Sequence, residues 1–66
     1  MQILLNGEPR EVANELTLAQ LLEELGIRAR HVAVEINQQL VPRAVHATQR
    51  IAAGDRLEVV TLVGGG

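Results

Sequence analysis

Few residues of this chain have types or spacing that could do chemistry, and the scarcity narrows the choice. The 66 residues include no cysteine, no lysine and no serine. Thiol catalysis, thiolate metal ligands, Schiff-base chemistry and a serine nucleophile are therefore absent from the outset. Thr17 and Thr48 have no base and orienting group nearby in sequence, and Thr17 is better placed to cap a helix. His31 and His46 lack the spacing of a metal-ligand pair and read as surface histidines, so no metal site is expected. Seven glutamates and Asp55 are scattered as on a solvated face, and no glycine pattern suits a phosphate-cradling turn. The chain is expected to be a non-enzyme.

The chemically distinctive stretch is Thr61-Leu62-Val63-Gly64-Gly65-Gly66. Fully extended, residues 63–66 would reach about 13–14 Å. With no side chains on its last three positions, such an arm enters a cleft too narrow for any Cβ, and the Gly66 carbonyl is open from either face. This suits a carboxyl group that another enzyme must reach and activate. A carboxylate is a poor acyl donor because oxide is a poor leaving group; joining it to AMP supplies a stabilised one. If sulfur then attacks, Gly66 becomes a thiocarboxylate, a soft nucleophile that needs no cysteine. The absence of lysine fits as well, since no side-chain amine of the chain could capture its own activated end.

Elements that could carry such an arm follow from the pattern. Asn6-Gly7 between two short extended runs predicts a type I′ hairpin, and Pro9 assigns its second strand to a sheet edge. Leu18, Leu21, Leu22 and Leu25 share one helical face over residues 18–25. Thr17 and Gln20 form a capping box, and Gly26 suits the left-handed position after the helix, with Ile27 packing back on Leu22. Val32, Val34 and Ile36 alternate with Ala33 and Glu35, an Asn37-Gln38 turn leads into a short extended piece stopped by Pro42, and residues 44–55 read as a loop or irregular helical turn. In the last strand Leu57 and Val59 lie opposite Glu58, Val60 and Leu62, and Glu58 marks its face as the wet one. One helix with one leucine stripe needs one sheet face, which gives a two-layer α+β domain over residues 1–62, followed by a flexible glycine tail over residues 63–66. The inward set is Ile3, Leu5, Leu18, Leu21, Leu22, Leu25, Val32, Val34, Ile36, Leu57 and Val59. Leu4, Ala33, Val60 and Leu62, with Val63 beyond them, form an outward apolar surface expected to dock a partner.

Charge and composition exclude other classes. A net charge of −2, six scattered arginines and no aromatic residue leave neither a cationic patch nor a stacking platform for nucleic acid. No stretch is apolar for the length of a membrane span and none reads as a signal peptide, so the expected compartment is the cytoplasm.

Along nearly its whole length the chain resembles the ThiS sulfur carrier proteins of thiamine biosynthesis, within the ThiS/MoaD ubiquitin-like group. The resemblance rests on MQILLNGE at the start, the helix of residues 17–26, AVEINQQLVPR at residues 33–43 and AAGDRLEVVTLVGGG at the end. It implies a β-grasp fold, a mixed sheet of four to five strands on one main helix, with the first and last strands as parallel central neighbours. It implies that a ThiF-type adenylyltransferase consumes ATP to form an acyl adenylate at Gly66, and that a persulfide sulfur, drawn from cysteine by a cysteine desulfurase, converts it to the thiocarboxylate (1-thioglycine). Thiazole synthase ThiG would then receive the sulfur. The carrier would bind no cofactor itself. Gly64 and Gly65 would enter the partner's active site, Gly64 as a spacer because the motif needs only two glycines. The alternatives are a carrier like the molybdopterin synthase small subunit and a ubiquitin-like modifier that forms isopeptide bonds.

Overall fold

Two asparagine-led turns set the hairpins. In this computed structural model, which describes residues 1–62, Asn6 and Gly7 have φ of 51° and 83°, the paired positive values of a type I′ turn. They join β1 (Gln2–Leu5) to β2 (Glu8–Glu11) in antiparallel register, with Leu5 opposite Glu8 and Leu4 opposite Pro9. Asn37 and Gln38, at 51° and 70°, repeat the arrangement between β3 (Val32–Ile36) and β4 (Gln39–Leu40).

The helix α1 (Leu18–Glu24) begins and ends where its local sequence dictates. Thr17 Oγ1 accepts the Gln20 N–H at 3.2 Å while Gln20 Oε1 accepts the Thr17 N–H at 2.9 Å, closing the capping box. Leu25 is the C-cap. Gly26 follows with φ 71°, its N–H bonded to Glu23 O, and the Ile27 N–H returns to Leu22 O at 2.9 Å. These two bonds are a Schellman motif, which a Cβ at position 26 would strain.

The last strand, β5 (Arg56–Thr61), runs through the middle of a five-stranded sheet of order β2-β1-β5-β3-β4. It is parallel to β1 and antiparallel to β3. Parallel neighbours need a long crossover, and α1 lies within it. The expected mixed sheet on one helix, with first and last strands as parallel central neighbours, is the architecture found, and Pro9 lies on an edge strand where its missing N–H costs no ladder bond.

Ile3, Leu18, Leu21, Leu22, Val34, Ile36 and Leu57 are buried as expected, while Leu5, Leu25, Val32 and Val59 are half-buried around them. Val12, Leu16, Val41 and Ile51 complete the core, although nothing in the sequence pattern marked them. Each lies outside a regular element and is pinned by a backbone bond to another segment, such as Ile51 N–H to Leu16 O and Val41 N–H to Val34 O, both 2.9 Å.

His46 departs from its expected surface position. It is 4% exposed, and its Nε2–H donates to Val41 O at 3.1 Å. The segment that carries it folds over the start of α1, where His46 O accepts the Ala19 N–H and Gln49 O accepts the Leu18 N–H. The N–H groups that open a helix are thus all bonded within the chain, and this helix end offers none to an anion. His31 is exposed, as expected.

Candidate functional site

The candidate site is the far end of β5, the strand that precedes the Gly64-Gly65-Gly66 run. Its backbone alternates between neighbours. Arg56 O accepts from the Asn37 N–H at 2.7 Å and the Leu62 N–H donates to His31 O at 2.8 Å, so even-numbered residues bond toward β3. Odd-numbered residues bond toward β1, where Leu57 O accepts the Asn6 N–H at 2.8 Å. β1 ends at Leu5, opposite Leu57. The Asn6 side chain extends the ladder by one rung: its Oδ1 accepts the Val59 N–H at 2.8 Å and its Nδ2 donates to Val59 O at 3.4 Å. A primary amide presents the same donor and acceptor pair as a peptide group, which is why an asparagine at this turn can stand in for a missing strand residue.

A second asparagine does parallel work at the other end of β5. Asn37 Oδ1 accepts the Arg56 N–H at 3.0 Å and its Nδ2 donates to Asp55 Oδ1 at 3.0 Å; Asp55 Oδ2 in turn accepts the Ala52 N–H at 2.8 Å. Both residues are legible in the sequence as turn formers. Their side-chain role toward β5 is not, because the partners lie 53 and 19 residues away.

Side chains of β5 alternate as expected. Leu57 and Val59 face α1, and Val60 and Leu62 face outward, 58% and 51% exposed. Ala33 is the cross-strand partner of Val60 and is half-buried beside it. Leu4 shares that outward face but pairs with Arg56, four residues back along β5, so it lies apart from the Val60–Ala33 pair. Leu40, 65% exposed, pairs with Glu35 and belongs to the same face, which no sequence signal indicates. Its two-residue strand was too short for a face to be assigned. Glu35 and Glu58 are also direct cross-strand partners. Like charges set opposite each other favour neither strand, and they give the face an acidic flank beside its apolar residues. The expected sites at Val63, Gly64, Gly65 and Gly66, and the tail over residues 63–66, lie outside the described residues.

Among the described residues no group of three or more His, Asp or Glu is arranged to hold a metal ion, and no helix is long and apolar enough to cross a membrane. Thr17 is engaged in its cap, and the Thr48 Oγ1–H donates to Val45 O at 3.2 Å. Neither is poised as a nucleophile.

Comparison with known proteins agrees with this geometry. The chain is 38% identical over 66 residues to the sulfur carrier protein ThiS of Escherichia coli K12, with all of both chains covered. It is 42% identical over all of its own length to a thiazole synthase of Paramagnetospirillum magneticum, but spans only 20% of that longer protein. Among solved structures, the crystal structure of the thiamine biosynthesis protein ThiS from Geobacter metallireducens superimposes with a TM-score of 0.88 at 32% identity, covering all of both chains. The profile of the ThiS family matches residues 3–66, and the chain belongs to the ThiS family.

Proposed function

We propose that this chain is the sulfur carrier of thiazole formation in thiamine biosynthesis, with the Gly66 carboxyl as the carrying group. The observation that bears most weight is the family match through residue 66 on a fold whose central strand feeds the tail. The relatives named sulfur carrier proteins support the role. Thiazole synthases that contain a domain like the whole of this chain support the partner.

In this reading a ThiF-type enzyme joins the Gly66 carboxylate to AMP and releases pyrophosphate from ATP. The terminal sulfur of a persulfide, charged by a cysteine desulfurase, attacks the acyl carbon and displaces AMP. A thiol then cleaves the resulting S–S bond, leaving as a disulfide and freeing the thiocarboxylate. Thiazole synthase takes the sulfur, and the carboxylate returns to the cycle. The carrier supplies no catalytic side chain and binds no cofactor; its contribution is to present one carboxyl group to two enzymes. Gly64 and Gly65 pass through the narrow part of each active site, where a Cβ would obstruct. Val60 and Leu62, with Ala33 beside them and Leu4 at the margin, dock the adenylating enzyme, with Val63 expected to take part. The Glu35–Glu58 flank of that face calls for cations around an apolar patch on the partner.

The test is an intact-mass measurement after incubation with ATP, a ThiF-type enzyme and a persulfide sulfur donor. Replacement of one oxygen by one sulfur is expected on the native chain and on no chain lacking Gly66. A native chain that stays unmodified under conditions that convert a known ThiS protein overturns the reading. Sulfur transfer to thiazole synthase, and not to molybdopterin synthase, is expected to follow.

A further inference from the structure

α1 ends at its C-cap, Leu25. The helix has seven residues and β5 has six, and a helical residue advances about 1.5 Å against about 3.3 Å for a strand residue. The sheet therefore outruns the helix where β5 ends and β3 begins. A groove of about 480 Å³ opens there. Its apolar floor is Leu5, Ile27, Val32 and Val59, all half-buried. Its rim carries Arg28 and His31, both exposed. Among the described residues no Asp or Glu lines it, although the chain has eight.

We propose that this groove is a second docking site, for a protein partner that presents an aliphatic side chain beside a carboxylate. The aliphatic group would replace water over the half-buried floor, and the carboxylate would take paired N–H donors from the Arg28 guanidinium and a further one from the His31 ring. Charge decides the occupant: the outward face of Val60 and Leu62 carries Glu35 and Glu58 against a single Arg56, whereas the groove's rim carries Arg28 and His31 with no acidic residue among the described ones, so one partner surface does not suit both. Thr61, the last residue of β5, also lines the groove. A partner seated there grips the root of the tail from the side opposite to Val60. The proposal does not depend on the sulfur chemistry.

The experiment titrates the isotope-labelled full chain with an acetylated Glu-Leu-Glu-Leu-Glu peptide and follows backbone amide resonances. Shifts are expected at Gly26, Ile27, Arg28 and Thr61, with Glu35 and Leu40 unmoved. The same peptide with lysine in place of glutamate is expected to bind at least tenfold more weakly, as is the acidic peptide to the Arg28→Glu, His31→Glu double variant. Both positions are exposed, so the variant should keep the native amide spectrum; if it does not, the lysine peptide on the unmodified chain still decides. No saturable shifts, shifts centred on Val60 and Leu62, or equal binding of the two peptides would overturn the proposal. A failed mass test with a positive titration would remove the carrier reading and leave the groove, and the reverse result would do the opposite.

Discussion

The first four residues of β5, and the last two together with Leu62 just beyond it, form one extended run in two different surroundings. Residues 56–59 have β1 on one side and β3 on the other, with the Asn6 amide supplying the final rung, and Leu57 in this half is 1% exposed under α1. Residues 60–62 keep only the β3 side, through the Val60–Ala33 and Thr61–Val32 pairs and the Leu62 N–H to His31 O bond, and Val60 and Leu62 face outward. The first half contributes stability and the second contributes access. Extended backbone is common to both; the number of neighbouring strands and the reach of one short helix make the difference.

The largest expected effect lies in the packed half. Leu57→Ala removes most of a side chain that has no room to be replaced by water, and should cost about 2–5 kcal/mol in a urea titration. Domains of this size are only modestly stable, so much of the variant population should be unfolded at room temperature. A loss under about 1 kcal/mol would mean the site collapses freely, and the contrast between the halves would weaken.

Next comes the junction. Asn6→Gly keeps a residue that accepts the positive φ of the turn but deletes both side-chain bonds to Val59, so about 0.5–2 kcal/mol should be lost. Amide hydrogen exchange should quicken at Val59 while remaining slow at Glu35, which sits opposite Glu58 at a bonded position of the β3–β5 ladder. Asn6→Asp retains the acceptor for the Val59 N–H and should recover part of the protection. Equal exchange rates in all three proteins would show that β1 and β3 alone hold the strand.

The open half should yield the smallest change in stability. Val60→Asp alters an exposed side chain on a face that already carries Glu35 and Glu58, and the urea midpoint should move by no more than about 0.5 kcal/mol. Adenylation by a ThiF-type enzyme, in contrast, should show KM raised at least about tenfold, the equivalent of about 1.4 kcal/mol of docking free energy. A variant with unchanged adenylation kinetics would remove the outward face from the docking surface. Loss of stability comparable with Leu57→Ala would break the comparison from the other side.

Much of the fold could be read before the structure was known, because its strongest signals are local. The Thr17–Gln20 capping box, the left-handed Gly26, the Asn6-Gly7 turn and the edge position of Pro9 each depend on residues a few positions apart, and all four stand as read. Periodicity placed Leu18, Leu21, Leu22, Val34 and Leu57 in the core. It failed for Val12, Leu16, Val41, Ile51 and His46, which are buried from irregular segments where no repeat distinguishes an inward side chain from an outward one. His46 is buried in the same way, on a segment whose return across the start of α1 no local pattern records.

The candidate site divides in the same way. Sequence alone determined the absence of cysteine, lysine and serine side-chain chemistry, the run of three glycines at residues 64–66, and the alternation that turns Val60 and Leu62 away from the helix. Tertiary structure alone decided that Leu4 lies apart from the Val60–Ala33 pair, that Leu40 joins the face, that Asn6 completes the ladder to Val59 across 53 positions, and that a groove rimmed by Arg28 and His31 opens beyond the helix. The physical reason is range. Turns, caps and strand alternation are fixed by neighbours along the chain, whereas pairing register and the unequal lengths of helix and strand act between segments whose proximity no local pattern records.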